Sequence, residues 1–169
     1  MKTVVVYSGP TDLQNQLYLD NFEYFLQHGL PSSRGVCVPG VAVILVLTTE
    51  TLAHYAGCLR AYNATCGEIR TVTRINRCFD MESARLALTS DESFRRLGLG
   101  TDYEKVVFVN CGMLGPLLPG NGDRFWASHF TDRINARVKL VGPTINCGGK
   151  RDVHHAHVQS RAEINTSRR

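Results

Sequence analysis

Two arginines, an asparagine and an aspartate lie close together after the segment EIRTVT, in which polar and apolar residues alternate, and could bind a phosphorylated ligand together. These candidate substrate-binding residues are Arg74, Asn76, Arg77 and Asp80, in the segment RINRCFD. A guanidinium stays charged and can donate two hydrogen bonds to one phosphate, which suits Arg74 and Arg77 to a diphosphate. Because acids at the start of the next helix would oppose an anion, we expect the phosphate to lie near Arg74.

A second polar group, Asn110-Cys111-Gly112, ends the apolar segment VVFV, which predicts a central strand. An amide at the end of such a strand needs partners for its N–H donors, so Asn110 is a further candidate for binding, with Gly112 beside it. Asparagine and glycine are also ordinary turn residues, and Asp80 suits the N-cap of a helix as well as a ligand contact. The pattern singles out no catalytic group.

Short β-branched segments alternate along the chain with longer segments of helical spacing. The predicted strands are Thr3–Tyr7, Val41–Leu47, Glu68–Thr73 (near an edge), Lys105–Val109 and Val138–Val141. Two predicted helices follow a capping box at Thr11–Gln14 and a cap at Thr48 or Thr49, and two more run from about Met81 to Leu97 and from about Asp123 to Ile134. This alternation predicts an α/β fold, a Rossmann-like three-layer sandwich with a mostly parallel sheet. Ligands of such sheets bind beyond the carboxyl ends of the strands, where we expect both polar groups to meet.

Composition favours one globular domain with a small polar extension. The chain has 169 residues, 43% of them hydrophobic, and a formal charge of +4, which is too weakly basic to indicate nucleic-acid binding. We expect a domain over residues 1–147 and a polar, basic tail over 148–169. No apolar run approaches the about 18 residues of a membrane helix, and the start lacks a signal-peptide pattern. The default expectation is the cytoplasm, with the secretory pathway or Golgi if the gene product is incomplete.

Cysteines and histidines leave another kind of site open. The six cysteines form no C-x-x-C pair, which argues against a zinc ribbon or a thioredoxin motif. Three of the cysteines nevertheless follow predicted strands three, four and five, and three histidines cluster near the last of them. The residues are Cys78, Cys111, Cys147, His154, His155 and His157. A thiol-based redox site or a metal site at the strand ends is therefore an alternative.

Several common motifs are missing from the sequence. It contains no G-x-G-x-x-G after the first strand, no Gly-Lys-Ser/Thr loop and no Gly-x-Ser-x-Gly elbow. The sequence therefore does not favour a dinucleotide-binding Rossmann protein, a P-loop protein or an α/β-hydrolase.

The segments RINRCFD, VVFVNCGMLGP and KLVGPTINC, followed by HVQS, resemble a family of glycosyltransferase-like proteins related to rhamnan and capsular polysaccharide synthesis enzymes. The shared pattern is an Asn-x-x-x-Asp segment, here Asn76 to Asp80, and a polar turn with a following Gly-Pro, here Asn110–Gly112 and Gly115-Pro116. The resemblance covers the chain to about Ser160. It implies a GT-A-type nucleotide-sugar-binding fold.

The resemblance also implies ligands and roles. The partners would be a nucleotide-diphospho-sugar and a carbohydrate acceptor, with Arg74, Asn76 and Asp80 near the nucleotide and Asn110 near the diphosphate. GT-A enzymes usually hold Mn²⁺ or Mg²⁺ with an Asp-x-Asp motif, whereas this chain has Asn-Cys-Gly. Since hard cations prefer anionic oxygens, a requirement for Mn²⁺ or Mg²⁺ is doubtful. Arg77, or Lys150 and Arg151 of the tail, would neutralise the leaving diphosphate instead.

Such enzymes normally continue past the HVQS segment into an acceptor-binding half. The sequence is therefore expected to be a truncated product that binds donor and lacks part of the machinery for transfer. A non-catalytic Rossmann-like binding or scaffold protein is the alternative.

Overall fold

The computed structural model describes residues 2–31, 38–66, 69–75, 79–89, 103–116 and 124–142. The chain divides into two compact units, Met1–Gly122 and Asp123–Arg169, and each is described by itself. The expected boundary between residues 147 and 148 lies outside the described residues and stays a prediction.

The first unit is built on a four-stranded, all-parallel sheet. Its strands are β1 (Thr3–Ser8), β2 (Val41–Leu47), β3 (Ile69–Thr73) and β4 (Lys105–Asn110), in the order β3-β2-β1-β4. In register, Ser8 lies opposite Val46 on one side and Asn110 on the other. The predicted α/β, Rossmann-like architecture is confirmed.

Helices cover both faces of this sheet. They are α1 (Gln16–His28), α2 (Thr49–Cys66) and α3 (Phe79–Thr89). Phe22 and Phe25 of α1 contact the ring of Tyr7, whereas Ala87 of α3 joins a buried cluster with Val6 on the opposite face. Successive side chains of a strand point to opposite faces, so α1 and α3 lie in different layers.

No helix within the described ranges is long and apolar enough to cross a membrane.

Burial follows the position of each strand in the sheet. β1 and β2 are buried at every residue, as expected for apolar strands covered on both faces. β3 ends the sheet and is exposed at three of its five residues, which confirms its predicted edge character. β4 was expected to be central, but it is the outermost described strand on its side, and Phe108 is 52% exposed.

The start of α1 differs from the predicted capping box at Thr11–Gln14. Asp12 accepts hydrogen bonds from the N–H groups of Gln14 (2.9 Å) and Asn15 (3.2 Å), which keeps this stretch in a turn. The helix begins at Gln16, and the side chain of Asn15 accepts from the N–H of Tyr18 at 3.3 Å. The predicted cap of α2 is confirmed at Thr48, which accepts from the N–H of Thr51.

The second unit contains less regular structure than predicted. The helix expected from Asp123 to Ile134 is only α4 (Ser128–Thr131), and residues 138–142 form no strand. The backbone of Val138 explains this, because its carbonyl accepts from the N–H of Asn135 (2.9 Å) and its N–H donates to the Asn135 side chain (3.0 Å). These local bonds use the groups that a sheet ladder would require. The predicted fifth strand is therefore wrong.

Candidate functional site

The strand order creates a crevice at the carboxyl ends of β1 and β4. From β1 the chain moves to β2 and then β3, and it returns across the sheet to place β4 on the other side of β1. Ligands of open parallel sheets bind where the direction reverses in this way. A groove of about 480 Å³ lies there between α3, β1 and β4. Its lining residues are Val6, Ser8, Ser83, Ala84, Arg85, Leu88, Thr89, Phe108, Val109, Asn110 and Met113.

Small side chains on α3 leave room for this groove. Ser83 and Ala84 face the sheet where larger residues would fill the space, and Ala87 is fully buried beside them. Opposite them, Phe108 and Met113 are each about half exposed (52% and 50%). The walls are therefore mainly apolar, with one exposed aromatic ring that could contact the flat face of a ligand.

Two buried hydroxyls lie at the bottom of the groove. The Oγ atoms of Ser8 and Ser83 are 2.9 Å apart and share a hydrogen bond between β1 and α3. Each hydroxyl offers one donor and two acceptor positions, so the pair retains capacity for a ligand. This bond also fixes α3 against the end of β1.

The turn after β4 supplies the amide of the groove. The Oδ1 atom of Asn110 accepts a hydrogen bond from the N–H of Gly112 at 3.0 Å, and the N–H of Cys111 donates to the carbonyl of Ser8 at 3.0 Å. A Cβ added at Gly112 would approach Asn110 Oδ1 to 3.1 Å, so glycine suits this close turn. The arrangement fixes the Asn110 side chain at the mouth of the groove.

Charge at the rim of the groove comes from α3. The guanidinium of Arg85 donates to both carboxylate oxygens of Glu82, through Nε and Nη2, each at 2.7 Å. These hydrogen bonds, with the charges of Arg85 and Arg74, lower the pKa of Glu82 below its usual range. Arg74 itself is buried, at 6% exposure.

The structure brings only part of the predicted set to the groove. Asn110 lines it, and Gly112 lies exposed in the adjoining turn. Arg74 follows β3, where its N–H donates to the carbonyl of Leu47 at 2.8 Å, and it is not among the residues that line the groove.

The other predicted site residues are less fully described. Asp80 is the second residue of α3, and its side chain lies outside the described part. Asn76 and Arg77 lie outside the described residues. The proposal that all six residues share one site therefore stays a prediction.

Sequence reasoning missed Ser83, Arg85 and Phe108. A usable signal was present for α3, because Ser83, Ala84 and Ala87 place small residues on one helical face. No signal distinguished Phe108 from a core residue, since exposure of one face of β4 depends on which elements cover it.

The face of the sheet under α1 holds the cysteine of the same turn. Cys111 is 7% exposed, and its carbonyl accepts from the Nδ2 atom of buried Asn21 at 2.8 Å. Tyr7 is fully buried nearby, and its hydroxyl has no hydrogen-bond partner among the described residues. Burial, with a smaller effect from Cys111, raises the pKa of Tyr7 far above its usual range.

The other two cysteines and the three histidines of the alternative site lie outside the described residues.

The turn does not fit a hard divalent cation. The side-chain oxygen of Asn110 already accepts from the Gly112 N–H, Cys111 offers a buried thiol, and Gly112 has no side chain. Mn²⁺ and Mg²⁺ prefer carboxylate oxygens. Within the described residues, no group of three histidine, cysteine, aspartate or glutamate side chains could hold a metal ion.

No family model, no curated protein and no solved structure matched the chain in comparisons with known proteins. The sequence resemblance to glycosyltransferase-like proteins therefore stays a prediction. Fold and groove together define the class of protein: a Rossmann-like α/β domain with a groove of ligand size at the switch point of a parallel sheet.

Proposed function

We propose that the chain is a glycosyltransferase-like protein that binds a nucleotide-diphospho-sugar in the groove between α3 and β4 and transfers the sugar to a carbohydrate acceptor. The observation that carries this proposal is the position of the groove, at the carboxyl ends of β1 and β4 where the strand order reverses. Its volume of about 480 Å³ is in the range of small-molecule sites. The sequence resemblance supports the choice of ligand.

The groove offers both kinds of contact that such a ligand requires. Phe108 and Leu88 provide apolar surface for the base and the sugar ring, and Ser8, Ser83 and Asn110 provide hydrogen-bonding groups. Transfer of the sugar would depend on holding donor and acceptor in line and on cationic groups that stabilise the departing diphosphate. Among the lining residues that the structure describes, the cation is Arg85.

Calorimetry with UDP-glucose and GDP-mannose, each with and without Mn²⁺, tests the proposal. A tryptophan at Ala84 would occupy the groove, so Ala84→Trp is expected to weaken binding by at least about tenfold, because the side chain displaces the ligand. The matched control is Ala53→Trp, which adds the same side chain at an exposed position of α2. Circular dichroism of both variants serves as the control for folding.

Two results would contradict the proposal. One is the failure of the parent protein to bind either nucleotide-sugar at millimolar concentration. The other is equal binding by Ala84→Trp and Ala53→Trp, which would place the ligand elsewhere on the molecule.

A non-catalytic binding or scaffold role is the second candidate. It is favoured by the lining of the groove, because the described lining residues include no aspartate, glutamate or histidine that could act as a general base. An assay for donor hydrolysis and transfer separates the two roles. Binding without release of free sugar, with or without added acceptors, would favour the scaffold role.

A further inference from the structure

An ion pair at the rim of the groove already has the geometry of phosphate recognition. Arg85 lines the groove, and its guanidinium donates two parallel hydrogen bonds to Glu82, both at 2.7 Å. A forked guanidinium binds two oxygens of a phosphate in the same manner as two oxygens of a carboxylate. Glu82 therefore presents to Arg85 the same pair of anionic oxygens that a ligand phosphate would present.

The pair is exposed enough to exchange partners. The side chain of Arg85 is 59% exposed and that of Glu82 is 23% exposed, and the two residues are one helical turn apart. Pairs of this kind on a helix surface contribute only a few tenths of a kcal/mol to stability. The diphosphate of the proposed ligand carries at least two negative charges, against one on a carboxylate, and can displace Glu82 with little loss of folding stability.

Arg74 differs from Arg85 in this respect. It is only 6% exposed, lies after β3 and is not among the residues that line the groove. Arg85 combines a position in the lining with exposure to solvent.

We propose that Arg85 is the phosphate-binding residue of the groove and that Glu82 is an internal competitor which releases Arg85 when a phosphorylated ligand binds. The inference rests on the proposed function, because it assigns the phosphate end of the nucleotide to the α3 rim. It adds that the preferred ligand joins an apolar or aromatic body, lying along Phe108, to an anionic phosphate at Arg85.

Substitutions of the two members of the pair are expected to change UDP affinity in opposite directions. Arg85→Gln removes the cation and is expected to weaken UDP binding by about tenfold or more, while leaving the binding of uridine unchanged. Glu82→Gln removes the competitor and is expected to tighten UDP binding by about twofold. Affinity for UDP is also expected to fall more steeply with salt in the parent protein than in Arg85→Gln.

Matched controls separate these effects from a general change of net charge. Arg60→Gln and Glu50→Gln make the same changes at exposed positions of α2 and are expected to leave UDP affinity unchanged. GDP and guanosine serve as the second ligand pair. All four substitutions are at surface side chains, so thermal unfolding should confirm folded proteins.

The outcomes distinguish the inference from the proposed function. If the parent protein binds UDP but Arg85→Gln binds it equally well, the inference is overturned and the proposed function stands. Weaker binding of UDP by Glu82→Gln would also overturn it, since Glu82 would then support the ligand. A parent protein that binds neither UDP nor GDP contradicts both.

Discussion

The two faces of the sheet are packed in different ways. Under α1 and α2, large rings fill the space: Tyr7 stacks on Phe25 at 4.1 Å, and Phe22 meets the edge of Tyr55 at 5.0 Å. Under α3, the groove-facing residues Ser83 and Ala84 leave an open groove. We call these the closed face and the open face.

The difference shows that side-chain volume on the covering helix decides where a ligand can enter. Both faces start from the same two buried strands, so the backbone does not distinguish them. On the closed face, the apolar area buried by aromatic rings stabilises the fold. On the open face, part of that stabilisation is absent, and a cavity of ligand size remains.

The largest expected effect compares one phenylalanine on each face. Phe25→Ala should lower the free energy of unfolding by about 3–5 kcal/mol, because the ring is fully buried and its loss leaves a cavity. Phe108→Ala should lower it by less than about 1 kcal/mol, because half of that side chain is already in water. Urea denaturation measures both. Equal losses would remove the distinction between the faces.

A second pair compares one buried hydrogen bond on each face. Asn21→Ala removes the amide that donates to the carbonyl of Cys111, and we expect a loss of about 1–3 kcal/mol. Ser83→Ala removes the hydroxyl pair with Ser8, and we expect about 0.5–1.5 kcal/mol. Denaturant titrations of both variants give the comparison, and a larger loss from Ser83→Ala would contradict it.

The smallest expected effect concerns the pH dependence of stability on the closed face. Burial raises the pKa of Tyr7, so above pH about 10 the unfolded chain releases a proton that the folded chain retains. Stability due to this group is therefore present below that pH and is lost as pH rises. The parent protein should lose up to about 1.4 kcal/mol per pH unit more than Tyr7→Phe in this range. Identical slopes would show that the Tyr7 hydroxyl ionises equally in both states.

The fold was predictable from sequence where burial is complete. β1 and β2 are apolar on both sides, and their predicted bounds differ from the structure by at most one residue. The polar alternation of β3 indicated its edge position. The burial of the remaining strand depends on which elements, distant in sequence, pack against it. β4 is as apolar as a central strand, yet Phe108 on one of its faces is half exposed.

Local hydrogen bonds explain the other wrong predictions. The carboxylate of Asp12 accepts hydrogen bonds from two backbone N–H groups, so α1 begins later than expected. The side chain of Asn135 accepts from the N–H of Val138, where a strand was expected. For the groove, the polar turn at Asn110 was predicted correctly as a strand end at the carboxyl edge. The position of Arg85 in the lining of the groove could not be predicted, because it depends on how α3 is rotated over the sheet.

Amide hydrogen exchange with and without saturating UDP tests most directly whether the open face is the ligand site. We expect slower exchange in α3 and in residues 105–113, with exchange in α1 and α2 unchanged. Slower exchange confined to α1 and α2, in a sample shown by calorimetry to bind UDP, would contradict it.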